Sequence, residues 1–245
     1  MVLRLPGKSS LSVWLSFVAL FLHFVLSAGP TLASQEKSFE AATPAEISFS
    51  YRFENPRFHI SVMEVDLEPD GTGVVRFKRG ESDDLIDFKM KLLPTTLDRI
   101  RQLIEQTRFL TSDEDYQSKK DFSHLGWMTL LARQGERERK VRFNYTHNLE
   151  VRELADIFRA IASQGIHLFD IETSQQYQPL DLPGQLDSLE ADLKLERVAE
   201  PEQVVEALRD IAANDALPLI ARNKAQRMIA AIEKKKFKSP VKTTN

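Results

Sequence analysis

The chain has 245 residues, 33 Lys and Arg against 36 Asp and Glu, a formal charge of −3 and no cysteine. That balance argues against a generally basic nucleic-acid binder. The missing cysteine excludes a disulfide scaffold, a thiolate nucleophile, a Cys zinc site and a lipid carried on a cysteine after a leader.

Arg4 and Lys8 precede an apolar run from Leu11 to Leu26, and Thr31-Leu32-Ala33 stands just before polar Ser34-Gln35-Glu36. A basic start, a short apolar core and a small-residue cleavage site read as a secretory signal peptide over residues 1–33. The run is about sixteen residues, shorter than the roughly twenty of a spanning helix. Ser12, Ser16 and His23 interrupt it, and Gly29-Pro30 follow it. An uncleaved N-terminal anchor is the alternative, and Ser27 or Ala28 offer other cleavage positions. Arg4 and Lys8 are the only charges in this segment, so its removal takes the formal charge from −3 to −5. The expectation is an exported protein, periplasmic or secreted, with no membrane span once the leader is gone.

Residues 34–45 are small and polar and read as a flexible lead-in. Ile47, Phe49 and Tyr51 then alternate, as a strand does. Phe58 to Glu68 predicts a longer strand, with Met63, Val65 and Leu67 on one face and Glu64, Asp66 and Glu68 on the other. Pro69-Asp70-Gly71-Thr72-Gly73 signals a turn. Val75 and Phe77 return on the apolar face, and Arg76 and Lys78 return beside the three carboxylates. Opposite charges across strands stabilise such a hairpin, so the carboxylates read as a solvated face rather than a cation site. Ile86, Phe88, Met90 and Leu92 continue the alternation.

Pro94-Thr95-Thr96 opens a predicted helix, with Thr95 and Asp98 as a capping pair and Leu97, Ile100, Leu103 and Ile104 as its stripe. Residues 111–124 form a long polar connection. Leu125 to Ala132 and Lys140 to Tyr145 predict a second hairpin about Gln134-Gly135-Glu136. Val151, Leu154, Ala155, Phe158, Ile161 and Ala162 give a helix from Leu149 to Ser163, with Gly165 as its C-terminal cap. The pattern implies an α+β fold over residues 46–170, one antiparallel sheet with two helices covering one face. Residues 171–185 read as a linker. Three helices follow in a C-terminal helical extension over residues 186–236. Leu186, Leu189 and Leu193 stripe the first. Pro201 opens the second, and Pro218 opens the third. Residues 237–245 read as a disordered tail.

Asp70-Gly71, Phe109-Leu110 and the Asp113-Glu114-Asp115-Tyr116 run follow the order strand, Asp-Gly turn, strand, helix, hairpin, helix. In this the core resembles a group of small secreted bacterial domains of unknown function. Members of that group often carry a cysteine pair near the first strand, which this chain lacks. The resemblance implies a bacterial exported protein and no activity. Glu202 to Glu233, through Ile220-Ala221-Arg222 and Ala225 to Ile232, resembles a single HEAT-type helical hairpin, the kind of appendage that contacts other proteins.

No two-His metal motif, nucleophile elbow or phosphate loop is present, and neither a cofactor nor a metal is expected. The connection 111–124 is the candidate site, because loops on a rigid sheet concentrate function. Asp115, Tyr116, Asp121, His124 and His147 are its candidate ligand-binding residues. The basic residues of the second hairpin, Arg133, Arg137, Arg139, Lys140 and Arg142, read as a charged turn. Asn144-Tyr145-Thr146 matches a glycosylation sequon inside a predicted strand. The leading expectation is a non-catalytic module that binds a protein or an envelope component, with no nucleic-acid partner. The alternative is an envelope hydrolase using carboxylates or a histidine near residues 113–124.

Overall fold

Period-two alternation of apolar and polar residues makes the sheet. In the computed structural model, which describes residues 46–80, 82 and 84–241, β1 (Ile47–Glu54), β2 (Ile60–Leu67), β3 (Thr72–Arg79), β4 (Ile86–Lys91), β5 (Trp127–Gln134) and β6 (Arg137–Phe143) are all antiparallel. The expected leader (1–33) and lead-in (34–45) lie outside the described residues. The strand order is β4-β3-β2-β1-β5-β6. The first strand is therefore central, between β2 and β5. β2 starts later than alternation predicts, because Asn55 caps a turn through Phe58 and the register with β3 shifts between Ile60 and Val62.

One face of the sheet is dry. Phe49, Tyr51, Phe53, Val65, Leu67, Val75, Phe77, Leu130 and Phe143 are buried beneath α1 (Pro94–Gln106) and α2 (Leu149–Tyr177). The Tyr51 ring stacks on Phe158 at 5.6 Å, inclined by 7°. Each fully buried side chain of this size contributes about 1.5–3 kcal/mol. These elements form the α+β sandwich that the pattern implies.

Two expectations change along α2. Gly165 does not end the helix, which continues for three more turns to Tyr177. A Cβ on Gly165 would lie 2.9 Å from Val75 Cγ2. The glycine is there because helix and sheet touch, not because the chain stops. Residues 171–185 are likewise not a linker. Residues 171–177 complete α2, and α3 (Leu182–Lys194) begins after a short 3-10 turn at Pro179–Asp181. Ile171 and Ser174 supply the buried side of this stretch, while its glutamines and Tyr177 face outward.

The far end of α2 packs with α3, α4 (Pro201–Ala213) and α5 (Leu219–Glu233) around a second core that includes Ile171, Leu186, Leu189, Leu208 and Met228. Polar clips fix the arrangement. Asp192 of α3 accepts from Ser163 Oγ and lies 2.9 Å from His167 Nε2 of α2. The His167 contact, with Ser163 after it, holds the Asp192 carboxyl below its ordinary pKa despite partial burial. Lys224 of α5 pairs with Asp187 of α3.

The N-terminus of α1 is capped from a distance. Neither Thr95 nor any other local side chain caps it. Instead Glu200, at the start of α4, accepts from the Leu93 N–H at 2.8 Å and donates its own N–H to Gln164 Oε1 at 2.7 Å. Burial raises the pKa of this carboxyl, and the Thr96 hydroxyl and Leu93 N–H oppose the rise.

The tail also departs from expectation. Phe237 packs on the helical core, Ser239 Oγ donates to Ala199 O at 2.5 Å, and Val241 packs on the sheet core. Three apolar or polar anchors in five residues order what composition alone reads as a loose end. Residues 242–245 lie outside the described residues.

Three helices close by the same device. Arg108, Glu196 and Lys235 adopt left-handed φ values of 47°, 56° and 52°. The N–H of the next residue reaches back to Ile104, Asp192 and Ala231 carbonyls respectively. This is a Schellman turn, in which glycine is the usual left-handed residue.

Gly165→Ala is expected to destabilise the protein by about 1–3 kcal/mol in urea unfolding, because overpacking against Val75 outweighs the better helix propensity of alanine. Glu196→Gly, at an exposed left-handed position, is expected to stabilise it by about 1 kcal/mol in the same measurement.

Candidate functional site

The connection between α1 and β5 is tied down along most of its length. Phe109 is fully buried and stacks on buried Tyr116, with ring centroids 6.1 Å apart. Arg139 of β6 reaches around the sheet edge to hold both. Its guanidinium lies over the two rings at 5.3 and 5.0 Å and donates to Phe109 O at 2.8 Å and Glu114 O at 2.7 Å. Farther along, Gln117 and Asn144 clasp each other. Gln117 Nε2 donates to Asn144 Oδ1 and the Asn144 N–H donates to Gln117 Oε1, each at 2.8 Å. Asn144 Nδ2 then donates to Asp121 Oδ1 at 2.9 Å.

The five candidate residues fall into three places. Asp115 and Tyr116 line a cleft of about 500 Å³ between the loop and β6, with Asp113, Glu114, Arg139 and Lys140 also on its walls. Tyr116 serves there as a buried anchor, and Asp115 Oδ1 accepts from the Gln117 N–H. Asp121 turns away from that cleft. Its carboxylate accepts from the Ser123 N–H at 2.7 Å, and this bond, with help from the Ser123 hydroxyl and Asn144, holds its pKa below the ordinary value. That is an Asx turn opening the short 3-10 segment Ser123–Leu125.

His124 and His147 are exposed at the two ends of an aromatic row. Phe122 packs on Tyr145 at 4.6 Å, His147 meets the Tyr145 edge at 5.2 Å, and His124 lies 6.3 Å from Phe122. His147 Nε2 is 3.4 Å from the buried Ser118 hydroxyl. Asp121, His124 and His147 thus share a neighbourhood but line no part of the β6 cleft. Among the described residues no group of three or more His, Asp or Glu side chains is placed to hold a metal ion. Nor is any described helix long and apolar enough to cross a membrane.

Beside Tyr116 and Asp121, two side chains without a local chemical signal organise this region. Arg139 sat among five basic residues of one hairpin. Its signal is parity, since it shares an alternation phase with Val141 and Phe143, the inward phase of β6. Asn144 carried a sequon, but it is 2 % exposed and lies one residue past the strand.

A different surface is open. The face of the sheet opposite α1 and α2 stays partly exposed along its polar rows. Asp87, Arg76, Glu64 and Arg52 stand in register across β4, β3, β2 and β1. Arg52 pairs with Glu64, Arg76 with Asp66, and Glu54 receives Arg142 from β6 at 2.7 Å. Such exposed pairs contribute about 0.2–1 kcal/mol each. Beside this row is a depression of about 690 Å³. Ser48, Ser50, Val74 and Leu131 line it, with Lys89, Arg76 and Arg133 around it. The chain matches no protein-family model and no curated protein.

Asn144→Ala removes a buried amide that holds both Gln117 and Asp121. The expected cost is about 1–3 kcal/mol, and limited trypsin digestion should cut faster after Lys119 and Lys120 than in the parent chain.

Proposed function

We propose that this is an exported, non-catalytic binding protein that receives a protein or envelope component on the uncovered face of its sheet. The observation that carries the reading is that face. Helices cover one side of the six strands only, and the other side holds a shallow depression with an apolar floor at Val74 and Leu131. Around the floor stand the hydroxyls of Ser48 and Ser50, the cations Lys89, Arg76 and Arg133, and the carboxylates of Asp66 and Glu68. A mixed floor with a polar rim resembles the anatomy of a non-obligate protein interface. The ion pairs along the neighbouring row hold the arginines in place before a partner arrives, which lowers the ordering cost of docking.

Export rests on the leader-like segment 1–33 and the resemblance to secreted bacterial domains. The absence of cysteine leaves such a protein without a thioether lipid anchor. The catalytic alternative has less support, because Asp115 lines a cleft that Asp121, His124 and His147 do not reach. A hydrolytic site needs its acid, base and nucleophile around one reacting atom.

The test is capture from an envelope fraction with the parent chain and with Leu131→Glu, a substitution at a partly buried position on the open face. The parent chain should retain a partner that Leu131→Glu loses, with both chains showing the same thermal midpoint. Equal retention by the two would sink the assignment to this face.

A further inference from the structure

We propose that the turn closing α5 and the strap that follows it form a docking surface for an anionic phospholipid bilayer. Lys234, Lys235, Lys236 and Lys238 are all exposed. None of the four forms an ion pair with a carboxylate among the described residues. Glu233, the acid next to them in the chain, is engaged by Arg209 at 3.0 Å. Arg227, two helical turns before Lys234 and also exposed, extends the basic surface along α5.

Helix chemistry accounts for only part of this cluster. A cation near a helix C-terminus offsets the macrodipole, but that benefit fades beyond the last turn. Lys236 and Lys238 lie past it. The charge is also local, in a chain whose formal charge is −3. An anionic surface would attract this cluster although the chain as a whole carries a net negative charge.

The backbone beneath the lysines is fixed in advance. The Lys235 N–H donates to Ile232 O at 2.8 Å and the Lys236 N–H to Ala231 O at 3.0 Å. Phe237 is drawn into the helical core between exposed Lys236 and Lys238. Ser239 and Val241 then fasten the strap to Ala199 and the sheet core. Docking therefore orders side chains but little backbone.

The chemistry of the cluster favours a lipid surface over other polyanions. Four compact ammonium groups on flexible stems suit diffuse surface charge, whereas planar arginine forks suit defined phosphates. Single-stranded nucleic acid would want an outward aromatic for its bases, and the one aromatic of the segment, Phe237, is turned inward.

The experiment is co-sedimentation of the full chain with phosphatidylcholine vesicles, with and without phosphatidylglycerol, at low and high salt. The full chain should partition onto the anionic vesicles, and raising salt should weaken that binding. Replacing all four lysines by glutamine should reduce partitioning by about 10²–10³-fold, from about fivefold per lysine. K236Q/K238Q should reduce it by roughly tenfold or more on the same scale. Circular dichroism should show both variants folded. The apolar segment 11–26 is common to all three chains, so their differences read the lysines alone. Equal binding by the quadruple variant would overturn the proposal. So would a full chain indifferent to phosphatidylglycerol, or lysine-dependent binding of an oligonucleotide in preference to the vesicles.

Discussion

One helix belongs to both hydrophobic cores, and everything else is arranged around it. α2 runs for 29 residues, about 44 Å at 1.5 Å per residue. Its first half lies on the sheet, where Phe158 meets Tyr51. Its second half, through Leu168 and Ile171, enters the bundle of α3, α4 and α5. A rigid rod shared in this way permits one relation between the cores. The contact of Gly165 with Val75 sets how closely the rod approaches the sheet. Glu200 and the Ser239 strap fasten the start of α4 to the same junction, from α1 on one side and from the C-terminal segment on the other.

The two faces of the sheet have correspondingly different roles. The covered face is apolar and closely packed. The open face is a lattice of alternating charges that satisfy one another across strands. Partner binding there would exchange exposed ion pairs of small individual worth for burial of the Val74 and Leu131 floor. The loop 111–124, by contrast, has most of its interaction capacity committed internally. Arg139 donates to the Phe109 and Glu114 carbonyls, and Gln117, Asn144 and Asp121 bond one another. A loop so occupied is part of the scaffold at this edge of the sheet, anchored through Tyr116 and Arg139.

Where a residue's role is set by its own neighbourhood in the chain, the sequence was readable. Alternation placed β1 to β4 and the inward sets of β1, β2 and β3, and an apolar run and its return placed β5 and β6 within two or three residues. Helical stripes placed α1, α4 and α5. Where a role is set by a distant partner, the local pattern does not carry it. Gly165 looked like a stop signal because glycine has two uses, and only the sheet crossing distinguishes them. Thr95 and Asp98 looked like a cap, but Glu200 arrives from more than a hundred residues away to occupy that end. Gln175-Gln176-Tyr177-Gln178-Pro179 and Pro183-Gly184 read as a linker, but Gln175 to Tyr177 lie on the outer side of α2 and Pro183-Gly184 fall in the first turn of α3. At the candidate loop the acidic and histidine side chains carry the chemical signal, while an arginine of inward parity and a buried amide organise it.

The position of β1 has a consequence for how the molecule is made. It is the first strand in the chain and a central strand in the sheet, flanked by β2 on one side and β5 on the other. Its partner Trp127 stands 73 residues beyond Glu54 in the register that joins them. The meander β1 to β4 can form from local hairpins as it is synthesised, whereas the second edge of β1 stays bare until β5 exists. Closing that long loop is the slow, entropically expensive step. An unpaired central strand is also what keeps a chain from completing its fold early. Under the proposed export, that delay would hold open the interval in which an unfolded chain can cross a membrane.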